Sequence, residues 1–266
     1  MRPDSKPFFP TPRDLPRRAW ESAADAVLSL LFPDRCLSCS QPVSRLREAG
    51  ICPGCWGRLL GLEIEAAGCA LCGIPLPGLV PGGSQLCIAC ASETPSYSGA
   101  RSFGYYGGEL GLCLRAIKFQ GRRNLAAHIG PLMARTAAAG FGRTAIDTMV
   151  PVPLHPRRHR QRGFNQAALL AQEVSRCLAV PVETRLLVRV RPTAPQVGLD
   201  NQQRRVNVRG AFSCPYPPGI QGASVLLVDD IMTTGATAES AAAALKEAGA
   251  ARVWVLSAAR AVPGVE

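Results

Sequence analysis

The chain of 266 residues lacks an apolar run that reads as a membrane span. Its longest uncharged stretch, Ala66 to Ser92, is long enough on paper. It is broken by Pro75, Pro77, Pro81, several glycines and four cysteines, so it cannot form one helix. A secretory leader is also not expected. The short apolar segment Ala23 to Phe32 is interrupted by Asp25, and no small-residue cleavage site follows. That segment reads instead as a terminal amphipathic helix with Ala24, Val27, Leu28 and Leu31 on one face, and a cytoplasmic location is the expectation. Two phosphate-binding motifs are missing as well, G-x-x-x-x-G-K-[ST] and G-x-G-x-x-G. Lysine is scarce, with only Lys6, Lys118 and Lys246. Arginine supplies nearly all of the positive charge.

What is present starts with bulk. Apolar residues make up 47% and charged ones 18%, enough for a sizeable core and too little charge for global disorder. The length allows one large domain or two smaller ones. Thirty Lys+Arg against 19 Asp+Glu give a formal charge of +11, which favours an anionic partner such as a phosphorylated metabolite or nucleic acid.

Eight of the 11 cysteines fall in four C-x-x-C pairs: Cys36/Cys39, Cys52/Cys55, Cys69/Cys72 and Cys87/Cys90. The gaps between successive pairs are 12, 13 and 14 residues. Two thiolates on a tight turn occupy two corners of a Zn²⁺ tetrahedron, and a second such turn supplies the other two. Pro53, Gly54 and Gly73 suit such turns. The simplest pairing joins adjacent pairs into two sites; a cross-brace of first with third and second with fourth uses the same residues. Four thiolates leave no open position on the metal, so both zincs are expected to be structural. Each loaded site carries a charge of about −2, which reduces the formal +11. Cys113, Cys177 and Cys214 have no partners in this pattern and read as ordinary core or surface residues.

Beyond about residue 95, strand and helix signals alternate. Residues 97–107 and 182–190 read as extended, 148–153 as a short buried strand, and 224–228 and 252–259 as apolar strands. Helices are expected over 108–120, stopping near Gly121, over the segment carrying Phe164, Ala168, Ala171, Val174 and Leu178, and over 237–248. This alternation implies βαβ units and a parallel sheet.

In such a sheet, ligands bind beyond the carboxyl ends of the strands. Asp229 and Asp230 stand at that end of an apolar strand, and Thr233, Thr234, Gly235, Ala236 and Thr237 lead into a helix N-terminus. Backbone N–H groups there form an anion site, the threonine hydroxyls add donors, and Gly235 admits close approach. The carboxylates suit hydroxyl groups, or Mg²⁺ held through water. A phosphorylated ribose satisfies both halves; the plainer reading is a capped helix after a strand with two solvated acids. Arg157, Arg158, Arg160 and Arg162 fall in a loop at the same presumed edge, suited to a pyrophosphate or a nucleic-acid backbone. Asn165 and Gln166 suit either a helix cap or a ligand contact. Lys118, Arg122 and Arg123 are weaker phosphate candidates. His155 and His159 are not assigned to zinc, because Pro156 argues against a helical pair. Residues 191–210, with Arg191, Arg204, Arg205 and Arg209, read as a mobile loop able to close over a ligand.

"VLLVDDIMTTGAT" (225–237) resembles the phosphoribosyl pyrophosphate signature of type I phosphoribosyltransferases. That resemblance implies that Asp229 and Asp230 contact the ribose hydroxyls and that residues 233–237 cradle the 5′-phosphate. A wider resemblance is to the ComF family. It is carried by "AIKFQGRRNLA" (116–126), "VPVPLHPRRHRQRGFNQA" (150–167), "TAPQVGLDNQQRRVNVRGAF" (193–212), the signature, and the four cysteine pairs. It implies an α/β fold: a type I phosphoribosyltransferase-like parallel sheet with helices on both faces, preceded by a small Cys-rich zinc-ribbon segment. The expected division is 1–32, a tail with the short helix; 33–95, a double zinc ribbon; and 96–266, the phosphoribosyltransferase-like domain. The implied role is in natural transformation, the uptake of DNA as single strands. The implied ligands are phosphoribosyl pyrophosphate with Mg²⁺, single-stranded DNA and DNA-uptake machinery. Phe119, Phe164, Tyr105 and Tyr106 are candidates for stacking bases. The alternatives are an active phosphoribosyltransferase with an unknown acceptor, and a zinc adaptor with a vestigial pocket.

Overall fold

The computed structural model describes residues 34–43, 50–64, 68–76, 85–141, 146–193 and 200–262. The helix expected before residue 33 lies outside them. The chain divides into two compact units, one ending at Gly57 and the other beginning at Arg58.

In the smaller unit, β1 (Asp34–Arg35) and β2 (Pro42–Val43) form an antiparallel hairpin. Helix α1 (Pro53–Leu60) opens on the "CPGC" turn and runs across the boundary. The larger unit begins with the second cysteine-rich segment and its short helix α2 (Ile88–Ser92). It continues through β3 (Gly99–Tyr105), α3 (Gly108–Gln120), α4 (Ala126–Phe141), β4 (Thr148–Pro151), α5 (Pro156–Arg162) and α6 (Gln166–Leu178). Then come β5 (Val188–Arg189), α7 (Asn201–Val208), β6 (Phe212–Ser213), β7 (Ser224–Met232), α8 (Ala236–Glu247) and β8 (Arg252–Arg260).

The central sheet is parallel throughout, in the order β3-β8-β7-β4. Its two middle strands are apolar on both faces: Val225 to Val228 and Val253, Val255 and Leu256 are fully buried. That is what a parallel sheet covered on both sides requires. Alternation along β8 separates the two layers. Val253 and Val255 pack with Ala238, Ala241, Ala242 and Leu245 of α8. Trp254, pointing the other way, meets Phe141 of α4 at 5.1 Å between ring centroids.

Both outer edges are covered, which blocks edge-to-edge association. Along β3, Ile64 N–H donates to Phe103 O, Tyr105 N–H to Leu62 O, and Ala100 N–H to Leu71 O. Along β4, Met149 N–H donates to Pro181 O, and Glu183 N–H donates to Met149 O.

Four expectations change. Helix α4 has no counterpart in the sequence reading, because Gly130 and Pro131 interrupt its pattern. Gly130 is a close-approach position: a Cβ there would sit 2.2 Å from Glu173 Cβ of α6. The strand expected over 182–190 shrinks to a single bridge at Val182 and the two residues of β5, with 183–185 exposed between them. The expected loop carrying Arg157 to Arg162 is helix α5, with Pro156 at its first position, where its missing N–H costs nothing. Within 191–210, residues 201–208 form α7, started by a capping box between Asp200 and Gln203; residues 194–199 lie outside the described set.

Candidate sugar-phosphate site and zinc ribbons

The cysteines assemble as two quartets of adjacent pairs. The sulfurs of Cys36, Cys39, Cys52 and Cys55 lie within 4.8 Å of one another, and so do those of Cys69, Cys72, Cys87 and Cys90. The cross-brace is not formed. The two sites repeat one piece of backbone chemistry. Cys52 N–H donates to Cys36 Sγ at 3.3 Å, and Cys87 N–H donates to Cys69 Sγ at 3.3 Å. Burial raises the pKa of Cys36 and Cys69, but these and neighbouring backbone donors outweigh it and lower each to about 6. Each quartet thus holds one thiol poised to ionise. Burial pushes Cys55 up to about 12 and raises Cys72 and Cys90 too. Four sulfurs at this spacing, with no carboxylate or open position, fit a structural tetrahedral Zn²⁺.

At the carboxyl end of the sheet, β7 does not stop before the acids. It continues through Asp229 and Asp230 to Met232, because β8 pairs with it as far as Met232↔Arg260. Its other neighbour, β4, ends opposite Val228. The two acids therefore sit on a strand with one side open. Asp230 N–H donates to Asp229 Oδ1 at 2.9 Å, and Ile231 N–H to Asp230 Oδ1 at 3.0 Å. Gln166 Nε2 donates to Asp230 Oδ2 at 3.0 Å, and Arg162 Nη1 donates to Gln166 Oε1 at 2.5 Å. Asp230 is buried.

Asp229 keeps part of its surface open to solvent although its carboxyl is enclosed by protein atoms. That burial pushes its pKa well above the usual carboxylate range; Asp230 pushes the same way and Arg189 opposes. Because the folded value lies above the unfolded one, the stability Asp229 contributes is whole below about pH 4 and is lost as pH rises through the folded pKa. Asp229→Asn keeps the acceptor oxygen without the charge. Without ligand, it should melt above the wild type near neutral pH, with the gap closing toward about pH 4. Thermal unfolding across that range checks this; a variant melting at or below wild type at neutral pH contradicts it.

After Met232 the chain turns through Thr233 and Thr234 to Gly235, whose φ of +84° favours glycine. Helix α8 begins at Ala236, so Thr233, Thr234, Gly235, Ala236 and Thr237 form a turn with a 12-residue helix behind it. Thr234 Oγ1 lies 3.4 Å from Ala236 N.

Beside the acids lies a cavity of about 270 Å³ lined by His155, Arg157, Arg158, Gln161, Arg189, Pro192 and Thr193. Arg158 Nη2 donates to Thr193 O at 3.1 Å, and Arg189 donates to Thr193 Oγ1. Burial and then Arg158 lower the pKa of Arg189, while Asp229 raises it. Helix α5, which lines the cavity, is tied to the acid pair through Arg162 and Gln166. Arg189 escaped the sequence reading because it lies in a segment read only as strand; the R-x-R spacing with Arg191 was the available signal.

The remaining candidates separate by role. Asn165 caps α6: its Oδ1 accepts from Ala167 N–H and its Nδ2 donates to Val152 O. Arg160 is exposed on α5. Arg191 donates to Asn207 O and Arg209 O at the end of α7, and Arg205 pairs with Glu93. Lys118 Nζ lies 5.3 Å from the Phe119 ring centroid, and Arg162 Cζ lies 5.9 Å from it. Phe119 is 70% exposed. Phe164 is buried under Arg123, and Tyr105 and Tyr106 are half-buried.

Among the described residues, no helix is long and apolar enough to cross a membrane. Residues 27–91 match the family model of the double zinc ribbon domain, and residues 165–261 match that of the phosphoribosyl transferase domain. The DNA utilization protein YhgH of Salmonella typhimurium is 34% identical over 232 residues, covering 85% of this chain and 98% of that protein. Competence protein F of Haemophilus influenzae is 31% identical over 235 residues, covering 86% and 98%. Competence protein ComFC of Bacillus subtilis is 34% identical over 109 residues, covering 39% and 40%. With a double zinc ribbon ahead of a phosphoribosyltransferase fold, and with similarity to competence protein F over 86% of its length, the chain belongs to the ComF family.

Proposed function

We propose that the protein handles single-stranded DNA during DNA uptake and holds phosphoribosyl pyrophosphate, or a related sugar phosphate, at the carboxyl end of its sheet. The observation that carries the pocket is the adjacency of three parts. The turn at Gly235 and the start of α8 suit a 5′-phosphate. Asp229 and Asp230 suit the ribose hydroxyls. The cavity lined by Arg157, Arg158 and Arg189 suits a pyrophosphate. Mg²⁺ would be held near Asp229 and Asp230, where it would neutralise pyrophosphate charge. Arg162 and Gln166 fix the orientation of Asp230, while Asn165 is taken up in capping α6 and Lys118 lies against the Phe119 ring. The same arginines would stabilise a departing pyrophosphate, so transfer of phosphoribose to an acceptor is the second reading.

The DNA reading draws on the names of the relatives and on Phe119, an exposed ring flanked by Lys118 and Arg162. A base stacked on an aromatic ring contributes about 1–3 kcal/mol. Phe119→Ala should therefore weaken binding of a labelled oligothymidylate by roughly 5- to 150-fold. Wild-type binding should fall steeply with added salt as arginines release counterions. Fluorescence anisotropy with an abasic oligonucleotide as control measures both. Equal affinity for the two oligonucleotides, or no loss in Phe119→Ala, overturns the stacking role. No binding at low salt overturns the DNA reading.

A further inference from the structure

Arg260 ends β8, opposite Met232 of β7 and Tyr105 of β3, and is only 3% exposed. A buried guanidinium is costly unless a counter-charge accompanies it. Among the described residues, no carboxylate forms an ion pair with Arg260. Its partners lie in the second cysteine quartet. Nη1 donates to Cys72 O at 2.8 Å, and Nη2 lies 3.9 Å from Cys72 Sγ. Its Nε has no hydrogen-bond partner among the described residues. A four-thiolate zinc site carries about −2 and supplies the missing counter-charge.

The same quartet reaches the sugar-phosphate turn by packing. Cys69, Cys72 and Cys90 belong to one apolar cluster with Tyr97, Met232 and Ala238. Tyr97 is buried, and its hydroxyl would stand 3.6 Å from a Cβ built on Gly235. Ser96 grips Glu239 of α8 twice, through N–H at 2.8 Å and Oγ at 2.6 Å. The segment leaving Cys90 is thereby fastened to the helix whose first turn faces the ligand.

We infer that Arg260 is a positioning residue that couples the second zinc site to the turn at residues 233–237, so that metal bound at Cys69/Cys72/Cys87/Cys90 sets the geometry of that turn. Metal at this site compensates Arg260, Arg260 holds the Cys72 knuckle against the strand end, and Tyr97 and Ser96 carry that placement to Gly235 and α8. Loss of the metal loosens the Cys72 knuckle that Arg260 holds and takes the compact tetrathiolate charge away from a buried cation. The strand end and the turn then relax together.

The test uses the full chain loaded with two zincs, as wild type, Arg260→Met and Arg260→Lys. Zinc release to a chromogenic chelator and hydrogen exchange at residues 233–238 are the primary readouts; Mg²⁺–phosphoribosyl pyrophosphate affinity is a third, and it alone rests on the proposed sugar-phosphate reading. Outer-shell partners of metal ligands typically affect metal affinity by roughly 10- to 100-fold. In Arg260→Met, one of the two zincs should leave at least roughly tenfold faster and residues 233–238 should lose protection. Arg260→Lys, which keeps the charge, should recover part of both. If Arg260→Met does not fold, Arg260→Lys against the wild type, both still zinc-loaded, gives the same comparison. Unchanged zinc release overturns the role of Arg260, and faster release with unchanged exchange at 233–238 overturns the coupling. A wild type that shows both primary effects but binds no sugar phosphate overturns only the ligand reading.

Discussion

Replacing Cys69 and Cys72 by serine should unfold the larger unit, whereas replacing Cys36 and Cys39 should leave its sheet intact. The reason is where each quartet sits. Cys69, Cys72 and Cys90 are part of the apolar cluster that includes Val225, Val255, Met232 and α8. Leu71 also accepts the hydrogen bond that covers the edge of β3 at Ala100. A structural zinc contributes about 10–16 kcal/mol of apparent binding energy. A domain's whole stability is only about 5–15 kcal/mol. Losing the second metal therefore removes as much as the sheet has to spare. Cys36, Cys39, Cys52 and Cys55 all lie before Gly57, in the smaller unit. Circular dichroism melts and zinc content of the two double variants decide the matter. A Cys69→Ser/Cys72→Ser protein with a wild-type melt would contradict this placement of the second ribbon.

Gly235→Val should abolish sugar-phosphate binding while leaving the sheet folded. At φ +84° an L residue is strained by roughly 1–2 kcal/mol, and a β-branched one is more severely disfavoured. A Cβ there would also stand 3.0 Å from Met232 Cε, tighter than an ordinary contact. The turn escapes by rotating its backbone, which re-aims the N–H groups at the start of α8. Each 1.4 kcal/mol lost is about tenfold in affinity. Gly235→Ala should therefore lose roughly tenfold, and Gly235→Val should show no measurable binding. Calorimetry with Mg²⁺–phosphoribosyl pyrophosphate measures the series, and wild-type affinity in Gly235→Val would refute the assignment of this turn.

The zinc quartets and the central strands were legible because each has a short, regular signature. Two residues between cysteines make a turn, and apolar runs such as Ser224 to Val228 have few other uses in a parallel sheet. What was not legible depended on partners distant in sequence. The acids Asp229 and Asp230 end an apolar run, so the strand appeared to stop there; pairing with β8 carries it on to Met232. Pro156 read as a helix breaker because its position in the helix was unknown; at the first position it starts α5. Helix α4 was hidden by Gly130 and Pro131, and Gly130 is explained only by its closeness to Glu173. Arg189 read as a strand residue, and Arg260 fell just past the strand expected over 252–259. Their roles appear only when β5 is set beside α5, and when the end of β8 is set beside Cys72.

The most direct test of the central claim is calorimetric titration of the zinc-loaded protein with phosphoribosyl pyrophosphate and Mg²⁺, beside an Asp229→Ala/Asp230→Ala variant. Saturable one-to-one binding that disappears in a folded variant is the predicted result. A folded, zinc-loaded wild type that binds no phosphoribosyl pyrophosphate would contradict the sugar-phosphate site, as would a variant that binds as tightly as wild type.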